Sequence, residues 1–66
     1  MKANRKKLEL AMARACMNAA DLEEASMLPR PSINNVIKGR GVRPGTLGKV
    51  AKALNCDPAE LIEEED

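Results

Sequence analysis

The chain has 66 residues, of which 44 % are apolar and 32 % charged, and it contains no Phe, Tyr, Trp or His. That length and patterning exclude a disordered chain and fit one small domain whose core is built from Leu, Ile, Val, Met and Ala. The net charge of +1 conceals an uneven spread, because residues 30–52 carry six Lys/Arg and no acid while residues 53–66 carry six acids and no base, a pattern suited to a polyanion-facing middle with the acidic end held elsewhere.

In chain order, the first helix is predicted over residues 4–16, with Leu8, Met12 and Ala15 on one face. Lys2, Arg5, Lys6 and Lys7 read as a flexible basic arm. Asn18 followed by Asp21 is a capping-box variant that opens a second helix over 19–26, burying Leu22 and either Ala25 or Ser26. The stretch LPRPSINNVIKGR then predicts a third helix over 30–38, with Ile33, Val36 and Ile37 inward and Asn34, Asn35 and Lys38 turned outward or sideways. Pro29 marks the turn before it, and Pro31 sits where a helix has no internal use for its N–H. Gly39 closes that helix by taking positive φ.

A fourth helix is expected over 46–54, carrying Leu47, Val50, Ala51 and Leu54 at i, i+3, i+4 and i+7. Asp57-Pro58-Ala59-Glu60 is a start signal for a fifth over 58–63, with Leu61 and Ile62 closing the core. Nothing alternates with period two, so the fold class is all-α. Residues 1–62 form the domain, and 63–66 are an acidic tail.

Catalysis has little to work with. Cys16 and Cys56 have no imidazole to serve as a base, and two cysteines without CxxC spacing or His make no metal site. They read as reduced, buried thiols of a cytoplasmic protein. No cofactor is implied. No apolar run reaches membrane length, and the MKANRKK start has no signal-peptide hydrophobic stretch.

Two short helices joined by a tight turn, the second flanked by basic residues, make a helix-turn-helix pattern. From Lys6 to Ile62 the residues M17-N18, L22, R30-P-S-I33-N-N-V36-I-K-G39, R43-P44, L47-xx-V50-A51-xx-L54 and D57-P-A-E-L-I succeed one another at a specific spacing. On these residues the chain resembles the Cro/lambda-repressor-like (XRE-type) helix-turn-helix DNA-binding family. The resemblance implies a compact five-helix domain whose third helix lies in the major groove of double-stranded DNA. It implies base reading by Arg30, Pro31, Ser32, Asn34 and Asn35, and backbone contacts from Asn18, Lys38, Arg40, Arg43 and Thr46. The chemistry agrees, because Arg pairs bidentately with guanine O6/N7 and Asn with adenine N6/N7. Most such relatives bind near-palindromic sites as symmetric dimers, so a weak homodimer is expected, using residues around Leu54 and Ile62. The implied role is a repressor-like transcriptional regulator.

The chain departs from the family pattern at several positions. Glu23 stands where a small Ala is usual, and Met27 where the turn usually has Gly. Ala19 replaces a phosphate-bonding Gln, and Met12 and Ile37 replace an Arg–Glu pair. The alternative to DNA binding is a protein-interaction module, such as an antitoxin-type or accessory subunit, docking a partner through the last helix and the LIEEED end.

Overall fold

Four α-helices account for most of the chain in the computed structural model, which describes residues 1–62. They are α1 (Arg5–Arg14), α2 (Ala19–Ser26), α3 (Arg30–Ile37) and α4 (Pro44–Ala53), with a single 3₁₀ turn at Pro58–Glu60 after them. The expected acidic tail, 63–66, lies outside the described residues.

Each start has a local cause. The Asn4 side chain accepts from the Lys7 N–H, which caps α1. Asn18 Oδ1 accepts from the Asp21 N–H at 2.8 Å, and the Asn18 N–H donates to Asp21 Oδ2 at 3.0 Å, completing the expected capping box. Neither α3 nor α4 has a side-chain cap, and each carries proline in its first turn. Pro44 therefore belongs to α4, two residues ahead of the expected start at Thr46, because its fixed φ suits a first helical position.

The helix ends share one device. Cys16, Met27, Gly39 and Asn55 all have φ between 55° and 75°, and only one of them is glycine. At Cys16, Gly39 and Asn55 the reversal is closed by paired backbone bonds. For Gly39 these run from Gly39 N–H to the Val36 carbonyl (3.1 Å) and from Arg40 N–H to the Asn35 carbonyl (2.9 Å), a Schellman motif. At Met27 the closing bond is its N–H to the Glu23 carbonyl, 3.0 Å. Met27 takes the left-handed conformation although it stands where the family usually has Gly, while Cys16 is exposed and Cys56 half-buried, contrary to the expectation of two buried thiols. Cys16 points outward because it occupies the reversal after α1 and not the helix face.

The core runs through all four helices and the final turn: Leu8, Leu22, Ile33, Val36, Leu47, Val50 and Leu61 are fully buried. In α1 the buried pair is Leu8 and Ala11, with Met12 and Ala15 only partly covered. In α2 it is Leu22 and Ser26, whose hydroxyl accepts from the Leu28 N–H at 3.3 Å. α2 packs on both α3 and α4, and α4 packs on the last turn.

Three further expectations are corrected. The fifth helix is only the 3₁₀ turn, because the Leu61 carbonyl accepts from the Asn4 N–H (2.7 Å) and Ile62 bridges Ala3, drawing the chain out of helical pairing. The amino-terminal residues are docked and do not form a flexible arm. Ala3 is buried, Lys2 bridges Gly41, and the Val42 N–H donates to the Met1 carbonyl at 2.7 Å. Leu54 is 5 % exposed and belongs to this chain's own core, so it is not free for a second copy.

Candidate nucleic-acid interface

Burial of Ile33 and Val36 fixes the roll of α3. Pro31 and Asn34 are consequently exposed, with Ser32 and Asn35 half-buried at the margin of the same face. Among the described residues, no hydrogen bond occupies the side-chain amides of Asn34 and Asn35. Their donors and acceptors are left to solvent or to a ligand.

Arg30 opens α3 and is also exposed. Its guanidinium is oriented from α2, with Arg30 Nη1 donating to Glu23 Oε1 at 3.0 Å. In the sequence Glu23 reads only as a bulky departure from a small residue. A contact between positions 23 and 30 depends on how two helices meet across the turn, which no periodicity along either helix reports.

The helix starts offer fewer free N–H groups than their number suggests. At α3 the Ser32 and Ile33 N–H groups donate to the Pro29 carbonyl, at 3.0 and 3.2 Å, and Pro31 has none to give. Only the Arg30 N–H remains. At α2 the Asn18 N–H is consumed by Asp21, so what Asn18 can still present is its side-chain NH₂.

Beyond α3 the basic residues continue. Lys38, Arg40 and Arg43 are exposed, and Thr46 is half-buried in the first turn of α4. The loop carrying them is fixed at both ends. Gly39 turns the chain at φ 75°, where an added Cβ would lie 3.4 Å from the Ala3 carbonyl oxygen, and Val42 is held to Met1. The positive φ explains glycine at this position. The outward side of α3 thus carries uncommitted amides, and four cations are exposed, Arg30 at the helix start, Lys38 at its end and Arg40 and Arg43 in the loop that follows.

A groove elsewhere, between the end of α1 and the end of α4, is lined by Ala11, Ala15, Ala51 and Cys56 with Arg14 at its edge. Burial pushes the Cys56 thiol above its ordinary value, with Glu60 and Asp57 adding to the rise and Arg14 opposing it. That is opposite in sign to the activation a nucleophilic cysteine needs. Among the described residues there is no cluster of three or more acidic or thiol ligands for a metal. No helix of them is long and apolar enough to cross a membrane.

The family model described as Cro/C1-type HTH DNA-binding domain matches residues 7–66. No curated protein and no solved structure matches the chain.

Proposed function

Because this chain belongs to the Cro/C1-type HTH DNA-binding family, we propose that it is a sequence-specific regulator of repressor type, reading double-stranded DNA with α3 in the major groove. The observation that carries this reading is the roll of α3, which buries Ile33 and Val36 and leaves Arg30, Pro31, Asn34 and Asn35 at or beside one solvent face.

In this reading Arg30 addresses a guanine and Asn35 an adenine, with Asn34 and Ser32 contributing polar contacts and Pro31 apolar contact at the groove edge. Lys38, Arg40 and Arg43 bind phosphates and set the register of the helix on the duplex. Asn18, through its side-chain NH₂, and Thr46 contact the backbone on either side. Binding as a weak homodimer to a near-palindromic site would place two such helices about 34 Å apart, one helical turn. Occupying that site would exclude other proteins from it. Residues 1–62 act as the DNA-binding unit, with 63–66 as an acidic extension.

Selection of bound duplexes from a random pool tests the reading. A recovered motif with paired half-sites one turn apart is the expected result. Recovery of no motif, with binding that depends only on salt, would overturn sequence-specific recognition.

A further inference from the structure

We infer that Glu23 is a positioning residue for Arg30, setting the direction from which the arginine addresses a base and thereby the specificity at that one position. The inference rests on the reading of Arg30 as a base-contacting residue.

The geometry is selective. Glu23 takes a single donor, Nη1, at 3.0 Å. Nη1 lies on the side of the guanidinium away from the Nε–Nη2 edge. That edge engages no other group among the described residues, and it is one that can pair with guanine O6 and N7. One face of the fork is thus held by protein while another remains for the ligand.

The backbone of Glu23 is firmly placed. Its carbonyl accepts from the Met27 N–H at 3.0 Å and from Ser26 Oγ at 3.4 Å, so the residue anchors the turn with its backbone and the arginine with its carboxylate. A long side chain with several rotatable bonds otherwise loses that freedom only on meeting DNA. Holding it beforehand lowers that cost and disfavours competing orientations.

Folding stability is a poor reason for the pair. The side chains are 47 % and 38 % exposed, so solvent screens the attraction. The carboxylate also carries a cost on a surface meant for phosphates, because it opposes the approach of any duplex. A residue that weakens binding in general and sharpens it at one base is a specificity device.

The test uses the full chain and the duplex recovered by selection, with each base pair changed in turn. Glu23→Gln keeps the shape and removes the charge, and thermal melting verifies that the variant is folded. Discrimination at the position read by Arg30 should fall by about threefold or more, while affinity for unrelated duplex rises. In an Arg30→Ala background the same change should leave discrimination untouched. If Arg30→Ala erases discrimination at one position and both Glu23→Gln and Glu23→Ala, the second removing the acceptor that Gln keeps, preserve it, the positioning role is overturned and base reading by Arg30 stands. A uniform fall in affinity of Glu23→Gln on all duplexes also overturns it, since that would mark a general role in the turn. If Arg30→Ala weakens every duplex equally, base reading by Arg30 fails, and the inference falls with it.

Discussion

The Met27 N–H donates to the Glu23 carbonyl at 3.0 Å while Met27 itself sits at φ 60°, 89 % exposed, between the two helices of the motif. The side chain makes no burial that would offset a left-handed backbone, which costs a non-glycine residue about 1 kcal/mol or more. Met27→Gly should therefore stabilise the fold by about 0.5–1 kcal/mol, net of the extra chain entropy glycine brings to the unfolded state. A higher urea midpoint at unchanged slope is the expected result. A lower midpoint would mean that the methionine contributes packing the geometry does not reveal.

Asn18 is the second test of local chemistry. Replacing it with Ala removes the acceptor for the Asp21 N–H and should cost about 0.5–2 kcal/mol. Asn18→Asp retains an acceptor, so its melting temperature should stay close to the parent's. Its added charge should nevertheless weaken duplex binding at low salt if Asn18 faces a phosphate.

Met12 and Ile37 are both half-buried and packed against the core, where the family pattern often has an ion pair. Met12→Arg alone would place an unpaired charge against apolar neighbours, a change expected to cost about 1–3 kcal/mol. Thermal melting decides the point, and an unchanged midpoint would remove Met12 from the packing assigned to it.

The parts of the fold legible in the sequence are those with local causes. Asn18, Gly39 and Asp57 announce helix boundaries because their residue types carry the mechanism with them, whereas Met27, standing where glycine is usual, does not tell whether the turn keeps its left-handed form. The 3.6-residue spacing of Leu47, Val50, Ala51 and Leu54 reports the inward face of α4 directly. The left-handed turn at Cys16 leaves no such mark, whereas Asn55, next after Leu54, is of a residue type that tolerates that conformation and could have been read as a helix stop. Asp57-Pro58-Ala59-Glu60 fixes the start of a helix but not its length, which is why a fifth helix is expected and a single turn found. Its end is decided by the pairing of Asn4 with Leu61, a contact between opposite ends of the sequence. For the candidate interface, the residue types and the roll of α3 are legible, and the tie from Glu23 to Arg30 is not, because it needs the angle between two helices.

Salt dependence separates the backbone contacts from the base readers. Replacing Lys38, Arg40 or Arg43 singly with Ala should reduce the slope of log affinity against log salt by about 0.9 for each phosphate left without its cation, with equal weakening on all sequences. A position-specific loss from any of them would reassign that residue to base reading.

The two thiols should differ in chemistry. Cys16 is exposed and Cys56 half-buried, with the Cys56 thiol pushed above 9.0 by burial first and nearby carboxylates second. Alkylation near pH 8 should therefore modify Cys16 before Cys56, as peptide mapping would show. A raised pKa in the folded state favours the protonated thiol there. Its stabilising contribution is full below the ordinary value of 9.0 and is lost as pH rises through the higher folded value. Stability measured from pH 8 to pH 11 should fall more for the parent than for Cys56→Ala.

The amino-terminal segment joins parts of the chain that are otherwise far apart, with Met1 and Lys2 at the loop holding Gly41 and Val42, and Ala3 at Ile62. Contacts of such long sequence separation carry the largest loop-closure cost, whereas α2, α3 and α4 meet through short connections. The segment should thus settle after the rate-limiting step of folding. Weakening it would hasten unfolding and leave the folding rate nearly unchanged. Substitutions in these three residues should therefore raise the unfolding arm of a denaturant rate plot and leave the folding arm in place.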